Sequence, residues 1–139
     1  MGGQPDGLSG PDERPTAVTF AAPRLVLLDS VTQVEPVHAG RLIVTGSHGG
    51  ASVVPYARAV RGWLYVFNDA GVGKDGAGIA ALELLAADGI AAATVAHTSA
   101  RIGEAADTWA HGVVSRVNAE ASTLGVQVGK PLADQIRPA

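Results

Sequence analysis

Four short apolar runs, each about as long as one strand, are separated by stretches long enough for a helix. Leu25-Val26-Leu27-Leu28 stops at Asp29, and Leu42-Ile43-Val44-Thr45 stops at Gly46-Ser47-His48-Gly49-Gly50. Trp63-Leu64-Tyr65-Val66-Phe67 runs into a glycine-rich loop over 68–78, and 90–96 ends at His97-Thr98-Ser99-Ala100-Arg101. Continuous runs of this length, bounded by turn residues, predict strands buried on both faces. Between them, Pro36 and Gly40 mark a helical turn, and 51–60 predicts a short helix with Pro55 in its first turn. Residues 79–88 place Ile79, Leu82, Leu85 and Ala86 on one face and Glu83 on another, with Gly89 in the stop position. From 103 or 104 to 124, Trp109, Val113, Val117 and Ala121 recur every four residues and predict one last helix. Glu104 and Asp107 fall in its first turns, where the helix dipole favours acids. Alternating strands and helices predict an α/β fold: a small, mostly parallel sheet of about four strands with helices on both faces.

The pattern also sets boundaries. Residues 1–22 hold four of the 18 glycines and three of the eight prolines, so they predict a flexible tail. A single domain is expected over 23–129, and 130–139 reads as a polar tail with two prolines. Composition agrees with one domain: 139 residues, 47% apolar, with only two Trp, two Tyr and two Phe. A core of small aliphatic side chains suits helices packed closely on a sheet.

Charge and cysteine content narrow the classes of function. The net charge is −3 and no basic run exists, which argues against nucleic acid, whose phosphates require a basic face. The absence of cysteine removes disulfides, zinc–thiolate sites and a cysteine nucleophile. No apolar stretch approaches the roughly 20 residues of a membrane span, and the first 16 residues lack the segments of a secretory signal. A cytoplasmic protein without a membrane partner is the expectation. A small parallel sheet has edges to cover, so a homo-oligomer is expected too.

In open parallel sheets, ligands bind outside the carboxyl ends of the strands. Those ends carry Asp29 and Ser30; Ser47 and His48; Asn68 and Asp69 with Lys74 and Asp75; and His97 with Ser99 and Arg101. Two of the four histidines and one of the two lysines fall there. His48, framed by glycines including Gly49, has the chemistry of a general base near neutral pH, with Asp69 or Asp75 as orienting partner or acid. Bracing of the turn by His48 is the structural alternative. Arg101 suits a carboxylate or phosphate clamp. Equally, Thr98 or Ser99 is a helix cap and Arg101 a surface partner of Glu104.

Gly71-Val72-Gly73-Lys74-Asp75-Gly76 has the letters of a dinucleotide fingerprint. However, His97 stands where the ribose-binding acid belongs. No Ser or Thr follows Lys74, which excludes a Walker loop. A flexible glycine-rich turn is the plainer reading, although an anion at the start of the next helix is physically reasonable. A metal on His48, His97 and Asp69 or Asp75 has no local ligand spacing behind it, and no cofactor is specified.

From Leu42 onward, over about 60 residues, the chain resembles the caspase-like peptidases of the CHAT branch. The likeness rests on the apolar strand ending in His48-Gly49 and on Asn68-Asp69-Ala70-Gly71-Val72-Gly73 after the next strand. The resemblance places Ala70 where that family has its Cys nucleophile, and implies an inactive relative. Two functional expectations follow. One is a binding site for a polar or anionic metabolite, with hydrolysis, elimination or isomerisation as the candidate chemistry. In it Ser47, Gly49, Asn68, Gly71, Gly73, Lys74, His97, Ser99 and Arg101 meet the ligand. The other is a non-catalytic accessory subunit.

Overall fold

The computed structural model describes residues 19–139. The four apolar runs are strands β2 (Leu25–Leu28), β3 (Leu42–His48), β4 (Leu64–Asn68) and β5 (Ala92–Val95). They pair in chain order, all parallel. A fifth strand, β6 (Val114–Val117), closes the sheet antiparallel to β5. The fold is thus α/β with a mixed, mostly parallel sheet.

Apolar side chains on alternate strand positions divide the core in two. Ile43, Tyr65, Phe67 and Ala92 face helices α1 (Val54–Ala59) and α2 (Ala80–Ala87), which supply Val54, Ala57, Leu82 and Leu85. Leu42, Val44, Val66 and Val95 face the opposite side. There α3 (Ala105–His111) packs on β2, β3 and α5 (Leu132–Gln135). Pro55 lies in the first turn of α1 and Gly89 takes φ +73 behind α2, as their positions in the sequence require.

One long helix over 103–124 is not formed. The segment is instead α3, β6 and α4 (Ala119–Leu124). Gly112 turns extended at φ −63, ψ 131, and a side chain there would run into the Thr108 carbonyl and Val95. Asn118 then restarts a helix by accepting the Ala121 N–H, and Gly125 ends it in the left-handed region. The four-residue stripe was a burial pattern shared by three elements: Trp109 from α3, Val117 from β6 and Ala121 from α4 meet in the same core.

The ends of the domain also differ from expectation. Of the predicted N-terminal tail, residues 1–18 lie outside the described residues, but Phe20–Ala22 forms β1. It pairs parallel with β7 (Ile136–Pro138) in a second, two-stranded sheet. The predicted polar tail over 130–139 contributes buried Leu132, Gln135 and Ile136. Among the described residues, no helix is long and apolar enough to cross a membrane.

The path after β5 positions the site. The chain does not pack beside β5; it doubles back across the carboxyl edge as a strap over 97–104. Asn68 Nδ2 donates to the Ala100 carbonyl at the end of β4, and Gly103 N–H donates to the Gly46 carbonyl of β3. At the end of β2, Asp29 Oδ1 accepts the Ala105 N–H that opens α3. Gly46 makes this crossing possible, because a Cβ there would stand 2.5 Å from Glu104 N. No contact that close is tolerated by packed atoms.

Candidate functional site

The strap and the end of β4 enclose an open cleft of about 1040 Å³. Its walls include Asn68, Ala70, His97, Ser99, Arg101 and His111. Behind it lies Asp69, only 5% exposed. The chain leaves β4 through four consecutive residues with positive φ, Ala70 to Gly73, and this turn folds the Gly71 N–H back onto Asp69 Oδ1 at 2.8 Å. The same oxygen accepts the His97 N–H at 3.0 Å and stands 3.4 Å from His97 Nδ1. Gly71 lies beneath the ring: a Cβ on it would be 3.5 Å from the imidazole, at φ +75.

Asp69 is held as a carboxylate. Burial alone would raise its pKa. The N–H of Gly71, the Ser115 hydroxyl, the N–H of His97 and the imidazole charge outweigh that and place it below the usual range. His97 keeps 56% of its side chain exposed. With Nδ1 facing a fixed carboxylate, Nε2 is the nitrogen left for a ligand. A neutral imidazole so oriented takes a proton at Nε2 while the carboxylate steadies the resulting imidazolium.

Of the residues singled out in the sequence, Asn68, His97, Ser99 and Arg101 are brought together on the cleft, with Asp69 and Gly71 beneath. Two of these also hold the scaffold. Asn68 is buried between Ala70 N–H and the Ala100 carbonyl. Ser99 Oγ donates to the Ala96 carbonyl and accepts the Val113 N–H. The others do not line the cleft. Ser47 Oγ accepts the Val31 N–H and secures the turn after β2. Gly49 is buried, its N–H on the Asn68 carbonyl. His48 is exposed with Nδ1 accepting the Gly50 N–H at 3.1 Å, so the carboxylate of Asp69 serves His97 and not His48. Gly73, Lys74 and Asp75 are exposed on the far part of the glycine-rich loop, Asp75 with φ +57.

Asp107, Glu104 and His111 line the cleft but were not among the expected site residues; the sequence placed Glu104 and Asp107 only as acids of a helix start and Glu104 as a surface partner of Arg101. Asp107 Oδ2 accepts the Arg101 N–H at 2.8 Å, and its Oδ1 meets His111 Nδ1 at 2.9 Å. Those two contacts hold the Asp107 carboxyl below its usual pKa range. Glu104 stands 3.9 Å from the Arg101 guanidinium. The i,i+4 spacing of Asp107 and His111 was the available signal, but only the strap shows that it faces the site. Among the described residues, no group of three His, Cys, Asp or Glu is placed to hold a metal ion. Comparison with protein-family models, with curated proteins and with solved structures yields no match to this chain.

Proposed function

We propose that the protein binds a small polar or anionic metabolite in the cleft at the carboxyl edge of its sheet. The observation that carries the reading is the Asp69–His97 pair: a buried, multiply hydrogen-bonded carboxylate behind an exposed imidazole on the cleft wall. Groups so arranged suit proton transfer, and His97 replaces His48 as the base in this reading. Hydrolysis, elimination and isomerisation each need one such group. Arg101 supplies the charge that an acidic substrate would meet.

A thermal-shift screen of polar and anionic metabolites tests the proposal. A true ligand at about 100 times its Kd stabilises the fold by about 2.7 kcal/mol. That gain should vanish in His97→Ala, whose exposed ring carries little of the core. A ligand that stabilises His97→Ala as strongly as the wild type would place binding elsewhere.

The second reading is a non-catalytic accessory subunit on a caspase-like scaffold. Its support is that His48 and Asn68 are register partners on adjacent parallel strands, with Ala70 two residues beyond. Turnover by the isolated chain would end it. Self-association belongs to either reading, since β2 and β6 are the edges of the main sheet. A clean monomer mass in sedimentation at micromolar concentration would refute it.

A further inference from the structure

Two carboxylates hold the strap in the same way. At its start Asp69 accepts the His97 N–H, and four residues further on Asp107 accepts the Arg101 N–H. Each also faces one imidazole at Nδ1, Asp69 that of His97 and Asp107 that of His111. Both imidazoles and Arg101 line the same cleft. Asp107 has both oxygens engaged, and Asp69 is buried and hydrogen-bonded. The ionic groups left to meet a ligand are therefore the Arg101 guanidinium, 79% exposed, the His97 and His111 rings, and Glu104.

This set discriminates between anions by their charge. A monoanion that displaces Glu104 from Arg101 exchanges one carboxylate for another and gains little. A group carrying close to two negative charges still attracts the guanidinium after that exchange and can also meet the imidazoles of the same cleft. It also has three acceptor oxygens that do not lie in one plane.

We infer that the cleft is a seat for a phosphomonoester, with Arg101, His97 and His111 as its binding residues and Asp107 as the positioning residue of His111. The inference rests on the cleft being the binding site and goes further in naming the ligand's acidic group.

The test is titration of the full chain with glycerol 3-phosphate at about pH 7, where a phosphomonoester carries close to two negative charges. Ionic strength is held fixed, and the imidazole NMR signals of His97 and His111 are followed. Both should move along one binding isotherm. Arg101→Gln and His111→Gln should each weaken binding by about tenfold or more, and acetate should bind at least about tenfold more weakly than the phosphomonoester. Glu104→Gln should tighten binding, because it removes the competing carboxylate. Arg24→Gln makes the same charge change at the opposite, amino edge of the sheet and should leave the affinity unchanged. Equal affinity for acetate, or equal losses in Arg24→Gln and Arg101→Gln, would overturn the phosphate seat. If His97 alone responds, the cleft reading stands and the seat falls. If neither responds, the seat is refuted, and the metabolite screen decides the cleft reading separately.

Discussion

At Asp69, a charge is kept in a place where burial alone would raise the carboxyl pKa. Its carboxylate is stabilised by donors that exist only in the folded chain, so its folded pKa lies below the unfolded value. A group of this sign contributes stability above the unfolded carboxyl value, about 3.9, and loses it as pH falls through the lower folded value. Asp69→Asn should therefore destabilise the protein by about 1–3 kcal/mol at neutral pH. The gap from the wild type should close as pH drops below about 4. Urea unfolding across that range measures it, and a gap independent of pH would mean that shape and not charge matters at this position. Position at a strand end was enough to mark Asp69 and His97 in the sequence. Their pairing was not legible, because it depends on the turn of 70–73 and on the strap, both set by backbone angles and not by composition. Lys74 drew attention as one of two lysines, yet the same turn leaves it away from the cleft.

At the scale of elements, the strands were legible because each is a nearly uniform apolar run, buried throughout in β4 and β5. β6 was not, since Val114-Ser115-Arg116-Val117 is a short edge strand with mixed burial and no apolar run. Its role emerges from Asn118, which accepts the Ala92 and Ala121 N–H groups and donates to the Leu82 and Ile90 carbonyls. Asn118→Ala would strip partners from four backbone groups at once and should cost about 3 kcal/mol or more. An unfolding midpoint close to the wild type would show that water replaces the amide. The strap depends on Gly46 in a different way. Gly46→Ala forces the strap off β3 and should destabilise by about 1–3 kcal/mol. It should also shift the His97 and Arg101 signals, whereas an unchanged spectrum would show that the strap is not held by this approach.

For the whole molecule, the two ends of the domain stabilise each other. Phe20 and Ile136 are register partners, and Phe20 also sits 6.3 Å from the ring of Trp63. A Phe20→Ala and Ile136→Ala cycle should return a coupling of at least about 0.5 kcal/mol, where strictly additive losses would mean that these two side chains do not stabilise each other across the second sheet. This closure was hidden in the sequence because each half is only three residues long and lies in a polar, proline-bearing stretch. The larger arrangement was legible: a mostly parallel sheet whose polar loops gather at one edge. What the sequence left out is the strap that crosses this edge and turns a row of loops into a cleft. The account stands most directly on where a ligand binds. Amide NMR mapping of the metabolite that most stabilises the chain should show its largest shifts at residues 68–71 and 97–111. Largest shifts at Glu83, Arg116 and Asn118, in the smaller groove between α2 and β6, would contradict it.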